Sequence, residues 1–258
     1  MKLVTFNIRC DYGQDKENSF CFRKPYILQK IKKESPDVIC FQEVLPHVAL
    51  WLKENLTDYN IVGCGRGKDL EDEQTAIAYL KMKFDLLGLE VFWLSNTPEV
   101  FGSRYENQSM CPRTCTKVLL WSLEERKLIG IYNTHLDHEG KEAREAALTQ
   151  ILRKIQDDRW GHNAPVVITG DFNACPDSPE MEVMKTATEL TDLTAQIDGT
   201  FHDYGRQESE KIDYIFGDRE IICQEVMIWD ESWGGIYLSD HYPVCVSLKF
   251  AAEGKGES

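Results

Sequence analysis

Polar groups of a similar kind recur where the apolar runs of this 258-residue chain end. "LVTFN" closes on Asn7 and "VICFQE" on Gln42 and Glu43. "IGIYNTHLDH" supplies Asn133, His135, Asp137 and His138, and "VVITGDFN" supplies Asp171 and Asn173. "KIDYIF" carries Asp213 mid-strand, and "LSDHYPV" sets Asp240 and His241 just before the last run. Burying a carboxylate costs several kcal/mol unless it is paired or binds a metal. One such residue is an ordinary turn or cap. Six runs that all finish this way point to a shared cleft, because the strand ends of packed sheets lie on one rim. The set is rich in acids, amides and imidazoles and holds no thiolate. Hard oxygen ligands of this type suit Mg2+, or Mn2+, rather than zinc, and histidine can move protons near neutral pH.

Other chemistries lack their residues. The chain contains no G-x-x-x-x-G-K-[ST], no G-x-S-x-G and no H-E-x-x-H, which argues against a P-loop, a serine hydrolase elbow and a zincin helix. Ser239-Asp240-His241 has the letters of a triad, but neighbours on an extended chain point to opposite sides. Metal-assisted attack of water on a phosphoester remains.

The elements that must position these groups follow from periodicity. Short apolar runs bounded by turn residues predict strands at "KLVTFNI", "DVICFQE", "YNIVGCG", "TAIAYLK", "FDLLGLEVFWL", "CTKVLLWSL", "KLIGIYNTHL", "PVVITGDF", "KIDYIFG", "EIICQEVMIW" and "YPVCVSLKF". Helices are predicted at about 140–158, where Ala143, Ala147, Ile151 and Ile155 share one face, at 24–35, at 46–55 and at 178–188. Several central strands follow one another without a helix between them. That pattern favours two packed mixed sheets with helices outside over a doubly wound parallel sheet. No linker or repeat interrupts the chain, so one domain over 1–250 with a frayed tail at 251–258 is expected.

The formal charge of −14 argues against long tracking along nucleic acid. Nine cysteines, among them Cys40, Cys223 and Cys245 inside apolar runs, read as reduced, buried small hydrophobes. With a start, "MKLVTFNIRC", that reads as a strand rather than a leader, they predict a cytoplasmic protein. No stretch reaches the ~18 apolar residues of a membrane span.

"FQE", "NTHLDH", "GDFN", "IDYIF" and "SDHYPV", in this order, resemble the endonuclease/exonuclease/phosphatase superfamily, from Asn7 to about Leu248. The resemblance implies a four-layered α/β sandwich like that of pancreatic deoxyribonuclease. It also implies Glu43 as principal magnesium ligand, with Asn7 beside it and Asp240 near the metal. His241 is then the general base or phosphate-polarising imidazole, and Asp213 the acceptor of its other ring proton. Asp171 and Asn173 orient the water and hold the phosphate, and His135 is a second imidazole on the phosphate, with Glu73 where its partner would fall. "FWLS" with Pro98, Arg113 before a strand, and "TFH" at 200–202 are similar to a bacterial subgroup of no single implied substrate. They suggest Trp93, Arg113 and His202 as substrate contacts. Asn18 and Arg23 match that subgroup in part, with Phe20 standing where it carries tryptophan.

Alternatives stand beside these roles. Asp137 and His138 are equally suited to cap the helix near Gly140. Arg144 could be a phosphate contact or a surface ion pair, Arg113 a substrate contact or a buried structural pair. His47 and His162 read as solvent-facing. Tyr105, Phe201 and Trp233 are loop aromatics able to stack on a base or cover a sugar. Arg66, Lys68, Arg104 and Arg113, opposed by "LEDE" at 70–73, suit a compact pocket for a small phosphoester (sugar phosphate, nucleotide or lipid head group) better than a groove. A nuclease on DNA or RNA is the alternative. A non-catalytic binding protein ranks last, because the whole constellation is present.

Overall fold

The computed structural model describes residues 1–159 and 161–251. Along the chain lie β1 (Lys2–Asn7), α1 (Phe20–Glu34), β2 (Val38–Gln42), α2 (Pro46–Asn55), β3 (Tyr59–Val62), β4 (Ile77–Leu80), β5 (Phe84–Trp93), β6 (Thr114–Ser122), β7 (Lys127–His135), α3 (Lys141–Arg159), β8 (Val166–Asp171), α4 (Glu182–Thr186), β9 (Leu190–Asp192), β10 (Asp213–Asp218), β11 (Ile221–Ile228), β12 (Ser232–Trp233), β13 (Ile236–Tyr237) and β14 (Val244–Phe250). Two six-stranded sheets form, in the orders β11-β14-β1-β2-β4-β3 and β5-β6-β7-β8-β10-β9, beside the small β12–β13 pair. Each large sheet is mixed, because β1 runs parallel to β2 and β7 parallel to β8 while the other pairings are antiparallel.

Alternation along each strand decides which layer a side chain enters. Phe6 and Phe41 face Ile27 and Ile31 of α1 and Val48 and Leu52 of α2. Leu3, Val38 and Cys40 meet Val118, Ile131, Val167 and Ile215 between the sheets. Tyr132, Ile168, Tyr214 and Phe216 pack against Ala147, Leu148, Ile151 and Ile155 of α3. The result is the expected four-layered α/β sandwich. Among the described residues no helix is long and apolar enough to cross a membrane.

The inter-sheet faces carry a second pattern. Reading towards one rim, Leu3 is followed by Thr5 and Asn7, Val38 and Cys40 by Gln42, Ile131 by Asn133 and His135, and Val167 by Thr169 and Asp171, every one of them buried. Registers align these ends: Asn7 with Gln42, and His135 with Asp171. Asp213 is the first residue of its strand rather than mid-strand. Because β10 runs against β8, that start sits directly opposite Asp171.

Some expectations shift. α1 begins at Phe20 rather than Lys24, since Phe20 is buried edge-on against Trp51 at 5.2 Å. The helix expected over 178–188 is a 3-10 turn at Pro179–Met181 followed by the short α4. Cys40 and Cys245 are buried as expected, but Cys223 is only partly covered on its edge strand. Most of the expected tail, residues 252–258, lies outside the described residues.

"GDFN" is a strand end with three separate requirements. Gly170 has φ 144, and a Cβ there would come within 1.9 Å of the Thr134 carbonyl on β7. Phe172 packs outward on Tyr214 and Phe216, while Asp171 points between the sheets. Asn173 then takes φ 50, a region in which asparagine is among the better tolerated residues. Gly170→Ala is expected to cost on the order of 3 kcal/mol, as for other strained backbone sites, read as a lowered urea midpoint.

Candidate active site

Asp171 is the hub at this rim. Its Oδ2 accepts from Asn7 Nδ2 at 2.9 Å and lies 3.5 Å from His135 Nε2 and 3.7 Å from His241 Nε2. Its Oδ1 accepts the Asn173 N–H at 2.9 Å, and Asn173 Nδ2 donates to the Leu136 carbonyl. Glu43 follows β2 at φ 60. Its carboxylate accepts from Asn7 Nδ2 at 3.0 Å and from the Cys10 N–H at 2.7 Å. His241 Nδ1 pairs with Asp213 Oδ2 at 2.8 Å. Phe201 bridges to His241 by backbone and lays its ring 4.9 Å from the imidazole. Glu43, His135, Asp171, Asn173, Phe201 and His241 line a cleft of about 310 Å³ together with Arg9, Arg66, Arg113 and Asp240, while Asn7 and Asp213 support it from beneath.

Burial and crowding set the charges. Burial and the Asp213 carboxylate push Asp171 up to about 7. Burial alone would lower His241, but Asp213, Asp171 and Asp240 outweigh it and raise the ring to about 10. His135 is pushed well down by burial and then by the Arg113 charge, so it is neutral. Glu43 is held below the usual carboxylate range: burial opposes this, and the Arg9 charge with the Cys10 and Asn7 donors prevails. Glu73 rises to about 7 through burial and the Glu43 charge.

The donor set fits a divalent cation. Glu43, His135 and Asp171 offer ligand atoms all within 4.8 Å of one another. Two acids are crowded there, and Asp213 Oδ1 is buried without a hydrogen-bond partner. A positive ion would relieve such crowding.

The structure brings Asn7, Glu43, His135, Asp171, Asn173, Asp213, Asp240 and His241 to one rim, with corrections in detail. Asn7 presents its amide nitrogen to both carboxylates, and its oxygen accepts the Arg9 N–H at 3.0 Å, so it bridges the two acids. Asp240 accepts from Ser239 Oγ at 3.0 Å, lies 3.4 Å from Arg9 Nε and lines the same cleft as Glu43. Trp93 does not line this cleft. It is fully buried, with Nε1 donating to the Arg66 carbonyl at 2.7 Å. His202 lies behind the cleft, stacked 3.7 Å from the Tyr242 ring and accepting the Gly205 N–H at Nδ1. Burial, with the His241 charge, lowers His202 to about 4. Arg113 does line the cleft. Glu73 pairs with Arg66 at 2.9 Å rather than with His135. Asp137 caps the turn before α3 through the N–H groups of Glu139 and Gly140. Arg144 is a buried partner of Glu180, neither on the surface nor in the cleft. Of the loop aromatics, Phe201 is in the cleft, whereas Trp233 stacks on Tyr26 and Tyr105 bonds Gln150.

Sequence reasoning gave Arg9 and Arg23 no role at the site. Arg23 is fully buried and donates to the carbonyls of Ile8, Arg9, Asn18 and Leu238 at 2.6–3.2 Å. It ties the loop after Asn7 to the loop before Asp240. Its signals were the partial match of Asn18 and Arg23 to the bacterial subgroup and its place three residues into an apolar helix start, rather than on the charged face.

The sequence profile of the endonuclease/exonuclease/phosphatase family matches residues 4–241. The chain is similar to the solved structure of an endonuclease/exonuclease/phosphatase from Bacteroides vulgatus, 32% identical with TM-score 0.91 over 97% of this chain and 98% of that one. It is also similar to the mannosyl-6-phosphatase of Bacteroides thetaiotaomicron, 26% identical with TM-score 0.88 over 97% and 100%. Protein angel of Drosophila melanogaster is 27% identical over 186 residues, 67% of this chain and 49% of that protein, so the chain spans about half of that relative's length.

Replacing Arg23 by Met strands four buried carbonyls. Arg23→Met is expected to cost about 3–5 kcal/mol, as when one partner of a buried charged network is removed, measured by denaturant unfolding.

Proposed function

The chain belongs to the endonuclease/exonuclease/phosphatase family, and from that premise we propose that it is a magnesium-dependent phosphoesterase acting on a small or single-ended substrate such as a sugar phosphate. One observation carries the reading: a buried carboxylate, Asp171, stands within 3.7 Å of two imidazoles and shares an amide with Glu43. The likeness to a mannosyl-6-phosphatase supports a phosphorylated sugar. The formal charge of −14 speaks against an extended nucleic acid.

Glu43 would hold the ion, with Asp171 and His135 in reach, and the ion would supply positive charge against the phosphoryl oxygens. The chain's own residues do the rest. Asp171, near 7, is matched to take a proton from water at neutral pH. Asn173 fixes one Asp171 oxygen and so aims the other. His241, protonated and held by Asp213, faces the charge that builds on phosphate. That favours polarisation over general base for this ring. Neutral His135 donates its ring N–H to a phosphoryl oxygen without adding charge. The water oxygen bonds phosphorus, the ester P–O bond breaks, and the alcohol leaves with a proton.

A panel of p-nitrophenyl phosphate, bis-p-nitrophenyl phosphate, nucleotides, oligonucleotides, sugar phosphates and sphingomyelin, with magnesium, manganese or chelator, tests this. Release should require the ion and fall by about 10³ or more in Asp171→Ala. Equal turnover by both proteins, with the variant folded, refutes the assignment. With Asp171 ionised and His241 protonated in the active form, kcat/KM should rise as Asp171 loses its proton and fall as His241 loses its own, the bound cation placing the two limbs at or below about pH 7 and about pH 10. Asp213→Asn should draw the alkaline limb down, because it removes the partner that raises His241. An alkaline limb that stays in place speaks against the pair.

A further inference from the structure

Of the three arginines that line the cleft, Arg113 is the one with buried donors left unpaired among the described residues. Arg113 is 4% exposed and lines the cleft beside Arg66, His135 and His138. Its Nη2 donates to His138 Nδ1 at 2.9 Å, since arginine has no acceptor. Its Nε is 3.6 Å from Asp137 Oδ2, beyond hydrogen-bond range. Asp137 is already taken by Ser109, Glu139 and Gly140. Nε and Nη1 of Arg113 are therefore buried without a hydrogen-bond partner. This fold treats other buried arginines differently: Arg144 places Nε and Nη2 on Glu180 and Nη1 on the Asp137 carbonyl. Buried unpaired donors are costly, and an anionic oxygen at this end of the cleft would satisfy them.

We propose that Arg113 receives the third non-bridging oxygen of a phosphomonoester, so that the cleft selects a terminal phosphate over a phosphodiester. The proposal rests on the phosphoesterase reading above and specifies its substrate class. A monoester dianion offers three charged non-bridging oxygens. A diester offers two, and its second ester oxygen is a poor acceptor that would leave the Arg113 donors desolvated and unpaired. Bond changes are the same for both: water oxygen joins phosphorus, the ester P–O bond breaks, and the departing alkoxide takes a proton.

The test compares kcat/KM for p-nitrophenyl phosphate and bis-p-nitrophenyl phosphate, with magnesium, in the wild type, Arg113→Met and Arg113→Lys. Calorimetric binding of inorganic phosphate is measured on the same proteins. The wild type should favour the monoester. Arg113→Met should lose about 100-fold on it, in the range of a deleted oxyanion donor, and lower the monoester-to-diester ratio at least about tenfold. Arg113→Lys, which keeps the charge without the fork, should fall between and carries the test if the methionine variant fails to fold. Phosphate binding should weaken in step. A wild-type preference for the diester, an unchanged ratio, or phosphate bound equally by all three proteins overturns the proposal. Should the wild type hydrolyse neither ester, the phosphoesterase reading fails, and the phosphate titration still decides whether Arg113 holds the anion.

Discussion

The structure depends on a change of solvent within one buried layer. The space between the sheets is aliphatic through most of its depth and polar at one rim, and the same strands supply both. Polar atoms there are kept by mutual bonding. Gln42 Nε2 donates to Asn133 Oδ1 at 2.7 Å across the two sheets, and Asn133 Nδ2 donates to the carbonyls of Phe41 and Ala76. This amide seam lies beneath the Glu43 and Asp171 carboxylates and ties the two sheets together. Without it, a layer packed like an organic solid would have to close over unpaired donors.

Above the seam, like charges are packed closer than stability alone would favour. Glu43, Glu73, Asp171, Asp213 and Asp240 converge with Arg9, Arg66, Arg113 and His241. Each arginine has an acid near it: Asp15 and Asp240 for Arg9, Asp72 and Glu73 for Arg66, Asp137 for Arg113. The positive backbone angles at Arg9, Glu43 and Asn173 belong to the same region. Strain, crowded acids and incompletely bonded donors gather at functional sites because they are retained only where a ligand repays them.

Much of this was legible in the sequence. Period-two alternation places Asn7, Gln42, His135 and Asp171 on the inner face of their strands, and motifs in chain order place them at one end. Partner choice was less legible. Trp93 and His202 have the residue types of a cleft wall, yet which side of a strand end or loop faces solvent depends on packing that no local pattern encodes. Trp93 is covered by the loop carrying Phe101, whose ring lies 4.9 Å away. Side-chain type likewise did not reveal that the Asn7 amide nitrogen joins Glu43 to Asp171. Arg23 was invisible as a clamp, since its four acceptors are backbone carbonyls spread from Ile8 to Leu238.

The site is stitched from the far ends of the chain. Asn7 reaches Asp171 across 164 positions, and Arg23 reaches Leu238 across 215. Contacts of such separation close late and slowly during folding. A polypeptide still emerging from the ribosome holds the early acids long before His241 and β14 exist, so it can carry no competent centre until those later segments have been made.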